Sequence, residues 1–239
     1  GYSMIFDGHS DIFSDVRYKR EAGETQVLKN HHLDRLRKGG IGGACFVIWA
    51  DTYNGHAPKD EMEAIVKGIK GEMAETKEFV LIHNVEELKA AEAAGKFAIL
   101  LGIEGLAGIG EDLSKIDELY DLGARHAMLT WNEENALATG VKGDPNRGVT
   151  ELGKQAIKKL QEKKMILDVS HINEKSFWDV IDLAIGPILA SHSNAKALAS
   201  AARNLTDDQL RAIRDTNGLV GLNAFGDFIS DNKAEQDVD

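Results

Sequence analysis

The sequence contains a single cysteine, Cys45, among its 239 residues. One cysteine excludes an intrachain disulfide. Its neighbours Ala44 and Phe46 are apolar, which predicts a buried thiol rather than a nucleophile. We therefore expect no catalytic role for the only sulfhydryl group.

The sequence also has no cluster of lysine or arginine, and its formal net charge is −11. Nucleic acids and anionic membrane surfaces attract positive patches, so neither is an expected partner. An apolar run of about 18 residues is missing, as is a charged-then-apolar leader, which predicts neither a membrane span nor a signal peptide. We expect a cytoplasmic protein that acts on a small molecule.

What the sequence does contain is an alternation of short apolar runs and longer helical segments, with glycines at the junctions. This order is typical of a parallel sheet that is covered by helices on both faces. The predicted strands span residues 4–7, 43–50, 98–103, 127–131, 166–170, 188–191 and 219–223. With 239 residues, 43% of them hydrophobic, the chain suits one large α/β barrel, and we predict a single domain over residues 1–239.

Several helices can be located from their first residues. Asn84 with Glu87, and Thr206 with Gln209, have the spacing of helix N-terminal caps. Residues 59–78 have apolar side chains at helical spacing, which predicts an amphipathic helix on the barrel wall. Residues 140–148 are rich in Gly, Asp, Pro and Asn and predict a loop.

Side chains that bind metals follow four of the predicted strands. His9 and Asp11 lie two residues apart after the first strand, so an extended backbone points both to the same side. Glu104 follows the third strand, where a buried carboxylate is costly unless a cation neutralises it. His171 and His192 follow the fifth and sixth strands. Because the carboxyl ends of parallel strands meet on one face of a barrel, we expect these side chains to converge.

The five side chains form a nitrogen and oxygen set that suits zinc or a similar divalent ion. Five ligands are too many for one tetrahedral zinc, whereas two ions that share a carboxylate use all of them. We predict that Glu104 bridges two zinc ions, with His9 and Asp11 on one and His171 and His192 on the other. A hydroxide held between the ions would be the nucleophile.

The other histidines lie in loops or beside helices, and we expect surface roles for them. They are His31, His32, His56, His83 and His126. Asp168 lies on the same predicted strand as His171 and is expected to orient a metal ligand.

These motifs resemble the membrane dipeptidase (renal dipeptidase) family, bacterial type, of the amidohydrolase-like metal-dependent hydrolases. The matching segments are residues 5–11 (IFDGHSD), 100–105 (LLGIEG), 129–140 (LTWNEENALATG), 166–171 (ILDVSH), 190–199 (ASHSNAKALA) and 202–210 (ARNLTDDQL). The resemblance spans nearly the whole chain and implies a (β/α)8 TIM-type barrel with a dinuclear zinc centre that hydrolyses dipeptides. It implies the same ligands: His9 and Asp11, the bridging Glu104, then His171 and His192.

The resemblance also implies a substrate site. Arg203 stands where the family has an arginine that binds the substrate carboxylate, and a guanidinium pairs with a carboxylate through two hydrogen bonds. Trp131 stands where mammalian members have a histidine that polarises the scissile carbonyl, a role that tryptophan cannot fill. We expect Trp131 to line the pocket and Asn132 or Asn135 to supply a donor.

The family pattern continues into an eighth barrel strand that ends in an aspartate within a Gly-x-Asp-Phe-Asp-Gly motif. That aspartate passes the proton from water to the leaving amine, and residues 1–239 do not contain the motif. We therefore expect a C-terminally incomplete barrel, which either belongs to a longer polypeptide or is closed by a partner.

Two other functions stay open. Another amidohydrolase-type metal hydrolase would usually show His-x-His after the first strand and sometimes a lysine at the fourth, whereas this chain has His9-Ser10-Asp11 and no lysine in residues 127–131. A non-catalytic metal-binding barrel is the second alternative. Homodimerisation is left open by the sequence.

Overall fold

The computed structural model describes residues 5–50, 55–191, 205–221 and 225, with the backbone alone for residues 5–9. The strands are β1 (Ile5–Ser10), β2 (Ile41–Ile48), β3 (Phe79–Ile82), β4 (Phe97–Glu104), β5 (His126–Met128), β6 (Ile166–Asp168), β7 (Ile188–Ala190) and β8 (Leu219–Val220). The helices are α1 (Ile12–Glu21), α2 (Asp34–Lys38), α3 (Pro58–Glu75), α4 (Val85–Ala93), α5 (Ser114–Leu122), α6 (Glu151–Glu162), α7 (Glu174–Leu183) and α8 (Asp207–Asp215). None of these helices is long and apolar enough to cross a membrane.

The strands form one parallel sheet in the order β1-β2-β4-β5-β6-β7-β8. One edge of β4 pairs with β2 along most of its length. The other edge is shared, because β3 pairs with the first half of β4 and β5 with its end. With helices between the strands, this curled sheet is a partial (β/α)8 barrel, as the sequence predicts.

Strand β3 is a correction to the seven predicted strands. The predicted helix over residues 59–78 ends earlier, at Glu75, because Thr76 takes an extended backbone with φ −103° and ψ 102°. The next apolar run, Phe79–Ile82, is then free to pair with β4. A strand this short, placed directly after a helix, carries too little alternation to be separated from it by periodicity. Several predicted strands are also too long, and β5 ends at Met128 rather than at residue 131.

Both predicted capping motifs are confirmed. Asn84 accepts a hydrogen bond from the backbone N–H of Glu87 at 2.8 Å and begins α4. Thr206 and Gln209 exchange side-chain to backbone hydrogen bonds at the start of α8. Each motif satisfies N–H groups that the first turn of a helix leaves without partners.

The inner face of the sheet is packed with its own apolar cluster. Its members include Cys45, Val47, Ala98, Leu100, Ile166, Leu189 and Phe225. Cys45 is completely buried, and this burial raises the pKa of its thiol well above the usual value. The predicted burial is confirmed, and the protonated thiol is a poor nucleophile.

A buried carboxylate also joins two helices on the outer face. Glu72 of α3 has no exposed surface, and its carboxylate accepts hydrogen bonds from Arg20 of α1, the backbone N–H of Leu28 and the hydroxyl of Thr76. Because every oxygen of the carboxylate is satisfied, its burial is compatible with a stable fold.

Candidate functional site

Four of the five predicted ligands lie at or shortly after the carboxyl ends of strands. Glu104 is the last residue of β4, and Asp11 follows β1 as an exposed residue at the start of α1. The backbone of His9 lies in β1, and His171 follows β6. Because the strands are parallel, these residues lie at one end of the barrel.

Glu104 and His171 form the described part of the candidate site. Oε1 of Glu104 lies 3.6 Å from Nε2 of His171, and the two side chains are 11% and 4% exposed. This separation is too long for a hydrogen bond. It fits two ligands of one tetrahedral zinc ion, which at about 2.0–2.2 Å from the ion lie roughly 3.3–3.6 Å apart. The pair therefore suits a divalent metal.

The ring of His171 is oriented by the loop that follows β5. Its Nδ1 lies 2.9 Å from Oδ1 of Asn132. An amide oxygen only accepts hydrogen bonds, so Nδ1 carries the proton in the neutral ring and Nε2 offers its lone pair toward Glu104. His171 also has a left-handed backbone, with φ +72°, and its carbonyl accepts a hydrogen bond from Val141. The loop thus fixes both the ring and the backbone of this histidine.

Trp131 lies beside this pair and is partly exposed. Its ring packs edge-on against Trp49 at 5.1 Å and lies 6.5 Å from the His171 ring, measured between centroids. Gly105 makes the approach of Trp131 to the strand end feasible, since a Cβ on Gly105 would lie 2.8 Å from the Trp131 backbone nitrogen. The contacts fit the predicted role of Trp131 in lining the pocket, which stays a prediction.

His126 corrects the expectation of a surface role. Its side chain has no exposed surface, and Nε2 lies 2.9 Å from Oδ2 of Asp168. The error came from the strand boundary, because β5 begins at His126 rather than at residue 127. As a strand residue on the same side as the fully buried Met128, His126 points into the barrel. By contrast, His31 and His56 are exposed as expected.

Asp168 is the other buried partner of this pair, at the end of β6. Burial alone would raise the pKa of its carboxyl, yet His126, Ser191 and the backbone N–H of Ser170 hold it well below the usual value. The side chain is therefore a buried carboxylate that is kept ionised by its donors.

The remaining predicted site residues cannot be placed together. Among the side chains that the structure describes, no three of His, Cys, Asp or Glu are grouped closely enough to hold a metal ion. The side chain of His9 and all of His192 and Arg203 lie outside the described residues. Their roles as ligands and as the substrate-binding arginine stay predictions.

Two functional contacts were missed by sequence reasoning. The link from Asn132 to His171 joins residues far apart in the chain, and no spacing rule indicates it. The link from His126 to Asp168 had a signal, since both follow the inward alternation of their strands, but it required the correct start of β5.

Comparison with known proteins identifies the family of this chain. The family model of membrane dipeptidase, peptidase family M19, matches residues 2–238. An uncharacterized protein of the PQQ-III 3′ region of Acinetobacter calcoaceticus is 31% identical, over 98% of this chain and 84% of its own length. An uncharacterized dipeptidase of Schizosaccharomyces pombe is 28% identical over 95% of this chain, which spans only 61% of that relative.

A solved structure shares the fold. The metallopeptidase of Rhodobacter sphaeroides, bound to a phosphinate mimic of the dipeptide L-Ala-D-Ala, superimposes with a TM-score of 0.80 at 26% identity. The match covers 92% of this chain and 74% of that one. The chain therefore belongs to the membrane dipeptidase family, peptidase family M19, a family of metal-dependent dipeptidases.

Proposed function

We propose that this protein is a dinuclear zinc dipeptidase that hydrolyses the peptide bond of dipeptides. The observation that carries the proposal is the convergence of the Glu104 carboxylate and the His171 imidazole at the carboxyl ends of β4 and β6. A largely buried carboxylate that faces a ring nitrogen with its lone pair available is the arrangement expected of two ligands of one metal ion.

The two ions would be held by the predicted ligands. His9 and Asp11 would bind one, His171 and His192 the other, and the Glu104 carboxylate both. Two bound zinc ions would lower the pKa of a shared water and so supply a nucleophile near neutral pH. Glu104 would contribute negative charge that offsets the repulsion between the two dications.

A dipeptide is the proposed substrate. The Rhodobacter sphaeroides relative binds a mimic of L-Ala-D-Ala, which supports a substrate of this class here. Arg203 would bind the substrate carboxylate, while Trp131 and Asn132 would border the scissile bond. A cytoplasmic location and homodimerisation stay predictions.

The proposal is tested with the full-length protein by metal analysis and a hydrolysis assay on L-Ala-D-Ala. We expect two zinc ions per chain and a hydrolytic activity that a chelator removes and zinc restores. Two ions without hydrolysis of any dipeptide would instead identify a non-catalytic metal-binding barrel, and a protein that binds no metal would contradict both functions.

Substitution Asn132→Ala is expected to lower zinc affinity about 10- to 100-fold, because the His171 ring loses the acceptor that orients it. Competition against a chromophoric chelator measures the affinity. Asn146→Ala is the matched control, since Asn146 is exposed in the same loop and should leave zinc binding unchanged. Unaltered affinity in Asn132→Ala together with a higher KM would assign Asn132 to the substrate instead.

Substitution Arg203→Ala is expected to lower kcat/KM for dipeptides by about 2–4 kcal/mol, or about 30- to 1000-fold, because the substrate carboxylate loses its partner. Dipeptide amides, which lack that carboxylate, should be affected far less. Arg211→Ala removes an exposed arginine of α8 that pairs with Asp208 of the same helix and serves as the control. Equal losses on both substrate types would show that Arg203 is structural.

A further inference from the structure

Asp168 connects three strands at the base of the candidate site. Its Oδ1 accepts hydrogen bonds from the backbone N–H groups of Ser170 at 3.0 Å and Ser191 at 3.3 Å. Its Oδ2 accepts from the Ser191 hydroxyl and lies 2.9 Å from Nε2 of His126. The carboxylate is 1% exposed, so all four donors reach it without water in between.

Two of the donor residues directly precede predicted metal ligands in the sequence. Ser170 directly precedes His171, and Ser191 directly precedes His192 in the sequence. One carboxylate therefore binds the backbone at the two points where the chain leaves β6 and β7. The third donor residue, His126, comes from the neighbouring strand β5.

His126 donates a hydrogen bond to the Asp168 carboxylate and holds it in place. A carboxylate oxygen only accepts hydrogen bonds, so the proton of this contact lies on Nε2. The ring is held on its other side by Phe225, with the ring centroids 4.8 Å apart and the planes at 72°. Because His126 is completely buried, neither the ring nor the carboxylate has room to turn away.

We propose that Asp168 is a positioning residue that fixes the backbone at Ser170 and Ser191, which directly precede His171 and His192 in the sequence, and thereby sets the zinc affinity of the site. The inference rests on the proposed function, in which these two histidines bind one ion. The left-handed backbone of His171, φ +72°, supports it, since a conformation that costs free energy persists only where the surroundings enforce it. The bond to the N–H of Ser170 fixes the chain directly before that residue.

The alternative is that Asp168 only stabilises the fold, and a matched control separates the two roles. Glu72 is also a completely buried carboxylate with several donors, but it joins α1 to α3 on the outer face. Asp168→Asn and Glu72→Gln each remove one buried charge and keep the shape of the side chain. Zinc affinity by chelator competition and the thermal midpoint of the metal-free protein are measured for both, in the full-length protein.

We expect both substitutions to lower the thermal midpoint, and Asp168→Asn alone to weaken zinc binding, by about 10- to 100-fold. Ser191→Ala, which removes one donor and keeps the backbone N–H, should weaken zinc binding less and remain folded if Asp168→Asn does not. Wild-type zinc affinity in Asp168→Asn, or in Ser191→Ala where the first variant does not fold, would overturn the positioning role and leave the proposed function standing. A wild-type protein that binds no zinc would overturn both, and the wild-type measurement identifies that case.

Discussion

Replacing Glu104 with glutamine is expected to remove both metal ions or all turnover. The amide keeps the size and the hydrogen-bonding reach of the side chain but loses the charge that two dications would share, so their repulsion goes uncompensated. Changes to groups that merely orient a ligand cost about 10- to 100-fold, so loss of a bridging ligand should lower kcat/KM by more than about 100-fold. Metal content per chain and kcat/KM for a dipeptide are the measurements.

The control for this prediction is Glu133→Gln. Glu133 is an exposed carboxylate in the loop after β5, so the substitution makes the same chemical change near the site without touching it. Wild-type metal content and rate are expected for Glu133→Gln. If Glu104→Gln kept two tightly bound zinc ions and a near-normal rate, the bridging role would be wrong.

Substituting Gly102 with alanine is expected to destabilise the protein by about 3 kcal/mol, near the upper end of overpacking costs. Gly102 lies on β4 two residues before Glu104, and a Cβ there would overlap Nδ1 of His126 and come within 3.1 Å of the Cys45 sulfur. His126 cannot move aside, because Asp168 holds it and Phe225 covers it. Because Gly102 has no side chain, the His126 ring can occupy the space next to it.

The thermal midpoint should fall by roughly 6–12 °C for a destabilisation of this size. Gly39→Ala is the control, since Gly39 has an ordinary backbone with φ −76° and a Cβ there would meet only contacts of 3.5 Å or more. In a double-mutant cycle, adding Gly102→Ala to a His126→Ala background should cost little, because the overlapping ring is gone. An equal cost in both backgrounds would show that the ring is not the obstacle.

The barrel class and the approximate positions of seven strands followed from the sequence because their signals are local. Apolar runs mark buried parallel strands, the residues at Asn84 and Thr206 mark helix starts, and Glu104 follows a run of apolar and glycine residues. Since parallel strands present their carboxyl ends on one face, the position of Glu104 and of His171 could be predicted without a structure. Strand β3 escaped prediction because it is four residues long and directly follows a helix.

The sequence by itself determined the fold class, the approximate positions of seven strands and the chemical identity of the candidate ligands, because composition and periodicity act over a few residues at a time. Only the tertiary structure decided that Asn132 orients His171 and that His126 supports Asp168 inside the barrel. The first pair joins separate loops and the second joins separate strands, so each contact depends on how distant elements pack. A start of β5 one residue earlier is enough to move His126 from the predicted loop into the core, since a strand residue two positions before the buried Met128 points to the same face.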